Sequence, residues 1–323
     1  MHKFYDLWPE IAIKSYESDL SPVEFSEIDH IVFSGMGGSG AIGDLFSAIL
    51  SKTSIHVNVV KGYLLPKTID SNTLVIPISV SGNTTETLHV LKSTLDLKCK
   101  TIAFSCGGLF ESFCSDNGIQ YRKLQMHHSP RTSFVSIAYS LLNVLRSVIP
   151  IKPSDVTESI NEMKKLSGTI SSGNLTDTNQ SLELAEWLRG IPLIYYPAGL
   201  QAAAIRFKNS LQENAKIHCI VEDVIEASHN NIMSWEKPSD VTPILLRGSD
   251  DYIKTKERWE ILKEYFDKNN IQYKEVNSPQ GSMLTKITSL VYMLDYASIY
   301  KAILSGTDPG PVKSIDFVKS RLV

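Results

Sequence analysis

The segment Ile31-Val-Phe-Ser-Gly-Met-Gly-Gly-Ser-Gly-Ala-Ile-Gly43 passes within a few positions from apolar, β-forming side chains to glycine and serine. A helical pattern over residues 41–50 follows at once. The segment therefore predicts a β-strand that turns directly into an α-helix. Glycine permits positive φ and close approach of a ligand to main-chain N–H groups, and the start of a helix directs its unsatisfied donors and positive dipole end to the same place. This arrangement predicts an anion site, most often a phosphate site.

Two alternatives remain open for this segment. Gly35, Gly37 and Gly40 also fit the dinucleotide-binding pattern G-x-G-x-x-G, which requires an Asp or Glu about 20 residues further on, at the end of the second strand. The predicted second strand, residues 55–60, continues into Lys61 and offers no carboxylate, although Lys61 leaves an NADP-binding variant open. The other alternative is a tight strand-to-helix turn that binds nothing.

Composition excludes several classes of protein. The chain has 323 residues, of which 42% are hydrophobic and 21% charged, and its net charge is −3, which together indicate a globular protein of two domains without a nucleic-acid-binding surface. No apolar run reaches the length of about 18 residues that a membrane span needs, and no signal peptide pattern precedes residue 16. These features predict a cytoplasmic protein.

Metal-binding patterns are lacking as well. The four cysteines form no C-x-x-C pair, and the eight histidines form neither H-x-H nor H-E-x-x-H. We therefore expect no bound metal and reduced, mostly structural cysteines.

A second loop, Ser79-Val-Ser-Gly-Asn-Thr-Thr-Glu-Thr87, lies between an apolar strand (residues 73–79) and a helix (residues 85–95). Hydroxyl groups and a helix N-terminus can surround a phosphate without any Lys or Arg. The alternative is an N-cap cluster in which Asn83 or Thr84 caps the helix and Glu86 lies in its first turn. Capping explains one or two of the hydroxyls but leaves the others without a role.

Strands and helices alternate along the rest of the chain, after an N-terminal helix over residues 3–20. Further strands are predicted at residues 100–105, 119–123, 191–196, 217–221, 242–246 and 271–276, and further helices at 134–148, 199–211, 255–268 and 282–304. This alternation predicts an α/β fold of two doubly wound domains with mostly parallel sheets, plus N-terminal and C-terminal helices. Prolines at 150 and 153 place the boundary between domains 1–152 and 153–323, and only the first domain has the phosphate loops.

Four charged residues are candidates for chemistry. Arg131 follows a proline just before a helix, Glu213 ends a helix, His229 lies in a polar loop, and Lys313 lies near the C-terminus. For each of them, a solvated surface charge is the alternative.

Six segments together resemble the bifunctional phosphoglucose/phosphomannose isomerase family, whose members consist of two sugar isomerase (SIS) domains. The resemblance extends over essentially the whole chain. It rests on Gly-Met-Gly-Gly-Ser-Gly at 35–40, Ser-Val-Ser-Gly-Asn-Thr-Thr-Glu-Thr at 79–87, Pro-Arg at 130–131, Glu-Asn at 213–214, Ser-His-Asn at 228–230, and the segment from Asp308-Pro309 to Lys319.

The resemblance implies a role for each candidate. The substrate phosphate is expected on five residues, namely Gly38, Ser39, Ser79, Ser81 and Thr84. Glu213 corresponds to the family's catalytic base, His229 to its ring-opening acid, Lys313 to a group that assists ring opening, and Arg131 faces the C1/C2 end of the sugar. The resemblance also implies a homodimer in which His229 comes from the neighbouring subunit, with no cofactor. The chain departs from the family's pattern at Gly310-Pro311, and the extra proline there affects how the last helix presents Lys313.

These residue types suit the reaction that the resemblance implies. Interconversion of an aldose phosphate and a ketose phosphate moves one proton between adjacent carbons through a cis-enediol, which a single carboxylate can do. A fixed cation stabilises the enediolate, and a separate acid opens the cyclic sugar. The expected activity is metal-independent interconversion of glucose 6-phosphate and mannose 6-phosphate with fructose 6-phosphate. The alternatives are a non-catalytic SIS protein that senses sugar phosphates, and an NADP-dependent enzyme.

Overall fold

The computed structural model describes residues 1–322 and divides them into two compact units. The unit called here the N-terminal unit comprises residues 6–164 and 281–288, and the C-terminal unit comprises residues 1–5, 165–280 and 289–322. The predicted domain boundary at residue 152 stays a prediction.

The N-terminal unit contains a sheet of five strands. They are β1 (His30–Ser34), β2 (His56–Val60), β3 (Thr73–Ser79), β4 (Lys100–Ser105) and β5 (Gln120–Lys123). Their order across the sheet is β2-β1-β3-β4-β5, and all four pairings are parallel. Every residue of β1 and β3 is buried, as expected for central strands covered on both faces.

Seven α-helices lie within residues 1–170. They are α1 (His2–Asp6), α2 (Trp8–Tyr16), α3 (Gly38–Leu50), α4 (Thr85–Ser93), α5 (Leu109–Asp116), α6 (Phe134–Val144) and α7 (Pro153–Ile170). The single N-terminal helix predicted over residues 3–20 is wrong, because the helix breaks at Leu7 and ends at Tyr16. Pro9 lies in the first turn of α2, where its missing N–H and its ring exclude a continuous helix from α1.

The C-terminal unit contains a second sheet, with strands β6 (Ile191–Tyr196), β7 (Ile220–Asp223), β8 (Val241–Arg247) and β9 (Lys274–Asn277). Their order is β7-β6-β8-β9, again entirely parallel. This order repeats that of the first four strands of the other sheet. The predicted pair of similar, doubly wound α/β arrangements is therefore confirmed.

The remaining helices are α8 (Gln180–Trp187), α9 (Gln201–Ser210), α10 (Val224–Ala227), α11 (Ile253–Lys268), α12 (Met283–Leu304) and α13 (Lys313–Lys319). A π-helical segment, Leu211–Ala215, continues directly from α9. The strand predicted at residues 271–276 begins only at Lys274, because apolar patterning does not show where pairing with β8 starts. Within residues 1–322, no helix combines the length and apolar character that crossing a bilayer requires.

Candidate functional site

The two predicted phosphate loops leave neighbouring strands at the same edge of the N-terminal sheet. β1 pairs with β3, and Ser34 at the end of β1 lies opposite Pro77. Because β2 lies on the other side of β1, the strand order reverses between β1 and β3. In doubly wound sheets, ligands bind in the crevice at this reversal, beyond the carboxyl ends of the strands. The structure thus brings both loops to the expected ligand position of the fold.

In and beside the glycine loop, residues 35–38, two glycines pack too closely against the main chain to carry a side chain. A Cβ on Gly35 would lie 2.9 Å from the main-chain carbon of Ser39 and 3.0 Å from the Ile78 oxygen, and a Cβ on Gly40 would lie 2.7 Å from the Gly35 oxygen. Gly37 has φ of 54° and directly precedes α3. The helix thus begins at Gly38, three residues earlier than predicted, so that Gly38 and Ser39 form its first turn.

The hydroxyl loop, residues 79–84, is organised by its own side chains. Ser79 Oγ donates to Thr84 Oγ1 at 3.0 Å and accepts from the Gly82 N–H at 3.1 Å, and Ser81 Oγ accepts from the Asn83 N–H at 3.2 Å. The three predicted phosphate-binding hydroxyls therefore lie in one short loop at the start of α4.

The alternative of an N-cap cluster on α4 is only partly right. Thr84 occupies the N-cap position and Glu86 lies in the first turn, as that alternative predicts, but the Thr84 side chain makes no capping hydrogen bond. Asn83 Oδ1 instead accepts from the Leu109 N–H at 2.9 Å, at the first residue of α5. Asn83 thereby joins the hydroxyl loop to the next strand-to-helix loop.

That third loop, residues 106–108 after β4, was not assigned to the site from the sequence. The Cys106 N–H donates to the Val80 oxygen at 3.1 Å, and a Cβ on Gly82 would lie only 1.7 Å from the Gly107 oxygen. Burial raises the pKa of the Cys106 thiol to about 11, so the thiol remains neutral beside the loop at neutral pH. The loop supports the hydroxyl loop without adding negative charge.

Two further hydroxyls at this edge of the sheet were missed. Ser34 at the end of β1 and Thr87 in the first turn of α4 are each 1% exposed. Within residues 1–322, their hydroxyl oxygens are two of the three buried side-chain polar atoms that have no hydrogen-bond partner; the third is Ser289 Oγ. At the carboxyl ends of the strands, beside the two loops, the unsatisfied hydroxyls of Ser34 and Thr87 are candidates for contact with a ligand or water. The sequence offers a signal for each: Ser34 lies at the end of a strand, and Thr87 belongs to the hydroxyl-rich motif at residues 79–87.

Arg131 belongs to the same unit and is only 6% exposed, so its interpretation as a solvated surface charge is wrong. It lies in a turn closed by hydrogen bonds from the Ser133 N–H to the Ser129 oxygen at 3.1 Å and from Trp8 Nε1 to the Thr132 oxygen at 3.0 Å. α6 begins at Phe134, three residues later. These hydrogen bonds therefore fix the main chain that carries the Arg131 side chain.

Glu213 lies in the C-terminal unit, in the π-helical segment, and is partly exposed. Burial lowers the pKa of Arg206, but the carboxylate of Asp295, with Tyr5 and, more weakly, Glu213, outweighs this and raises that pKa above its ordinary value. The Glu213 carboxylate is thus within electrostatic range of a buried guanidinium. Glu213 therefore belongs to a partly buried turn and is not a fully solvated surface charge.

Lys216 connects the turn of Glu213 with the segment before Lys313. Its ammonium donates to the main-chain oxygen of Glu213 and, at 2.9 Å, to that of Pro311. Lys216 itself has φ of 59°, which ends the π-helical segment. Lys313 is exposed at the first position of α13. The structure therefore brings the main-chain segments of Glu213 and Lys313 together.

His229 is exposed in the turn that follows α10. Its main-chain N–H donates to the main-chain oxygen of Glu226 at 2.9 Å, and the neighbouring Asn230 side chain donates to Glu226 Oε1 at 2.8 Å.

Within residues 1–322, no group of three or more His, Cys, Asp and Glu side chains is placed to hold a metal ion.

These features define a protein of two SIS domains. A model of the SIS domain matches residues 24–112, and a model described as the bacterial phospho-glucose isomerase C-terminal SIS domain matches residues 177–322. The chain is 30% identical to the bifunctional phosphoglucose/phosphomannose isomerase of Caldicellulosiruptor bescii, with 97% of this chain and 96% of that protein covered. It belongs to the bifunctional phosphoglucose/phosphomannose isomerase family.

Two further comparisons agree with this assignment. The protein of the same description from Aquifex aeolicus is 30% identical, with 98% of this chain and 94% of that protein covered. The crystal structure of a hypothetical protein from Thermus thermophilus has a TM-score of 0.76 at 15% identity and covers 98% of this chain and 88% of that chain. At that identity the likeness supports the fold alone.

Proposed function

We propose that this protein interconverts glucose 6-phosphate and mannose 6-phosphate with fructose 6-phosphate through a cis-enediol, without a metal ion. The single observation that carries the proposal is the pair of glycine and hydroxyl loops at the strand-order reversal of the N-terminal sheet, in a chain of this family. Both relatives described above are named for phosphoglucose and phosphomannose isomerisation.

The substrate phosphate binds to Gly38 and Ser39 at the start of α3, and to Ser79, Ser81 and Thr84 of the hydroxyl loop. The two helix N-termini supply positive dipole ends, and the hydroxyls donate hydrogen bonds. Neutral donors suffice for an anion at such a site because the dipoles provide the favourable electrostatic potential.

Glu213 acts as the base that moves the proton between C1 and C2. It removes the proton from C2 of the aldose, and the same carboxyl group delivers it to C1 of the enediol to give the ketose. The two C2 epimers converge on one enediol, in which C1–C2 is a double bond. Rotation about the adjacent C2–C3 single bond in the site presents either face of C2 to the carboxyl group and allows both hexose phosphates to react. Arg131 stabilises the negative charge that develops on the enediolate oxygen.

Ring opening precedes proton transfer, because hexose phosphates are mostly cyclic. His229 moves a proton between the anomeric hydroxyl and the ring oxygen, and Lys313 assists this step. The exposure of His229 supports its contribution to the site of a second subunit in a homodimer.

The first test is a coupled assay of glucose 6-phosphate and mannose 6-phosphate with enzyme purified in a strong chelator. We expect both sugars to be converted to fructose 6-phosphate at rates that added Zn²⁺ or Mg²⁺ does not increase. Loss of activity on chelation with recovery on adding a metal would contradict the metal-free mechanism. Phosphosugar binding without any turnover would favour the sensor alternative.

The second test is Glu213→Gln, which removes the base and keeps the shape of the side chain. We expect kcat to fall by about three orders of magnitude or more, within the range measured for loss of a general base, with phosphosugar binding retained in calorimetry. Glu264→Gln is the control, because Glu264 is exposed on α11 and pairs with Lys268 of the same helix. An unchanged kcat in Glu213→Gln would remove Glu213 from the mechanism.

A further inference from the structure

The turn that carries Glu213 has an uncommon conformation. Residues Leu211–Ala215 form a π-helix at the end of α9, and Lys216 ends it in the left-handed region. A π-helical turn is wider than an α-helical turn and less favourable, and it persists where other contacts hold it in place. The structure shows what these contacts are.

Two side-chain hydrogen bonds join this turn to α12, one on each side of Glu213. Ser210 Oγ donates to Asp295 Oδ1 at 2.5 Å, and Asn214 Nδ2 donates to Ser298 Oγ at 2.8 Å. Asn214, Asp295 and Ser298 are all 0% exposed, and Ser210 is 2% exposed. The two bonds therefore bridge the same pair of elements about one helical turn apart.

Both acceptors on α12 are themselves fixed. Ser298 Oγ donates to the main-chain oxygen of Asp295 at 2.6 Å, which uses its only proton and leaves its lone pairs for Asn214. Asp295 is held by Arg206, whose Nη2 lies 2.6 Å from Oδ2. A buried, charge-assisted contact of this kind has little freedom to shift. The hydrogen bond of Asn214 thus connects the residue directly after Glu213 to a rigid partner.

We propose that Asn214 and Ser298 are positioning residues that align the Glu213 carboxylate with the C1 and C2 protons of the substrate. The proposal rests on the proposed role of Glu213 as the base. Without the Asn214–Ser298 bond, the π-helical turn relaxes and the carboxylate leaves its reactive geometry. A displacement of about 1 Å is enough to cost up to about 100-fold in rate.

The test compares three variants of α12. Ser298→Ala removes the acceptor of Asn214, and we expect kcat to fall by about 10- to 100-fold with KM unchanged, because the phosphate loops are intact. Ser298→Thr keeps the hydroxyl and should retain most of the activity. Ser289→Ala is the matched control, since Ser289 is a buried serine of the same helix whose hydroxyl has no hydrogen-bond partner within residues 1–322.

The isotope effect separates positioning from a general loss of stability. With glucose 6-phosphate deuterated at C2, slower proton abstraction in Ser298→Ala should increase the deuterium isotope effect on kcat, and Ser289→Ala should leave it at the wild-type value. Asn214→Ala tests the same bond from the other side and replaces Ser298→Ala if that variant does not fold. The loss in the double variant should be smaller than the sum of the two single losses in kcal/mol, because the Asn214–Ser298 bond is shared by both.

Wild-type kcat in Ser298→Ala, or an equal loss in Ser289→Ala, would overturn this inference. Glu213→Gln keeps that failure distinct from failure of the proposed function. If Glu213→Gln is inactive and Ser298→Ala is fully active, Glu213 remains the base and the positioning role of Asn214 and Ser298 is refuted. If Glu213→Gln is fully active, the base assignment and the positioning role are both refuted.

Discussion

Asp295 is a fully buried charged residue of the C-terminal unit. Its side chain is completely buried and accepts hydrogen bonds from Arg206, Ser210 and Tyr5. Burial lowers the pKa of the Arg206 guanidinium, but the adjacent Asp295 carboxylate, with Tyr5 and Glu213, outweighs burial, so the pKa lies above its ordinary value. A buried ion pair of this type adds little net stability, yet removal of one partner leaves the other charge uncompensated.

Asp295→Asn should therefore reduce the free energy of unfolding by about 3–5 kcal/mol, because it leaves the Arg206 charge buried without a counter-charge. Urea denaturation at pH 7 measures the change. Glu264→Gln serves as the control: it breaks the exposed pair with Lys268, which should cost less than about 1 kcal/mol. Equal, small effects of the two substitutions would show that the buried charge of Arg206 is compensated elsewhere.

At the scale of elements, the loops after β3 and β4 depend on each other. Gly82 has φ of 68°, its oxygen accepts from the Phe110 N–H at 3.1 Å, and its α-carbon faces the Gly107 oxygen. The geometry of the hydroxyl loop is therefore set partly by the following strand and helix. A change in either loop should be transmitted to the other.

Gly82→Ala should strain the hydroxyl loop, since the added Cβ would lie 1.7 Å from the Gly107 oxygen and alanine disfavours positive φ. We expect a loss of stability of about 1–3 kcal/mol and weaker binding of fructose 6-phosphate in calorimetry. Gly62→Ala is the matched control, because no atom lies within 4 Å of the position that its added methyl group would take, and its φ is not in the positive range. If Gly82→Ala binds fructose 6-phosphate as tightly as the wild type, the hydroxyl loop does not contribute to phosphate binding.

The start of α12 is capped by a carboxylate from α7. Glu158 Oε2 accepts from the Ser282 N–H at 2.8 Å and from Thr285 Oγ1 at 2.7 Å. The hydrogen bond from the Ser282 N–H is the largest cause of a pKa of Glu158 below its ordinary value of 4.5. Because the folded-state pKa is the lower one, the charged cap stabilises the protein above the unfolded-state pKa and loses this effect as pH falls through the folded-state pKa.

Glu158→Gln should consequently be less stable than the wild type at pH 7, and the difference should shrink as the pH falls below 4.5. Urea denaturation of both proteins across this range measures the difference. A gap that stays constant between neutral and acidic pH would mean that the charge of Glu158 does not contribute and that the effect comes from side-chain shape.

At the scale of the whole molecule, the candidate residues are divided between the two units. The phosphate loops and Arg131 belong to the N-terminal unit, and Glu213, His229 and Lys313 belong to the C-terminal unit. The proposed reaction needs all of them, so it also depends on the proposed homodimer if His229 comes from the second subunit.

Mixing of two inactive variants tests this dependence. Glu213→Gln and His229→Ala are expected to be inactive on the cyclic substrate separately. If His229 acts across the dimer, a hybrid dimer contains one intact site, and random exchange of equal amounts should restore about a quarter of the wild-type activity. If His229 acts within its own subunit, no hybrid site is intact and mixing restores nothing. Subunit exchange is verified with a tagged subunit before the assay.

Much of the architecture could be predicted because its signals are local. Strands β3 and β4 have the predicted bounds, and the glycine loop lies between β1 and α3 as expected, since the change from apolar residues to glycine is visible within a few positions. Ser79, Ser81 and Thr84 lie in one loop because they are neighbours in the chain. Residue identity along each of these two segments therefore predicts the candidate phosphate site.

The amino-acid sequence by itself determined the alternation of strands and helices, the two phosphate-type loops and the identity of the candidate catalytic residues. Only the tertiary structure decided that Arg131 is buried and that Asn83 caps α5. It also decided that Glu213 lies in a π-helical turn at the end of α9, which is hydrogen-bonded to α12. Asn214 and Ser298 are 84 positions apart, and Arg206 and Asp295 are 89 apart. Such pairs leave no periodic signal in either segment, because the contact exists only after the chain has folded.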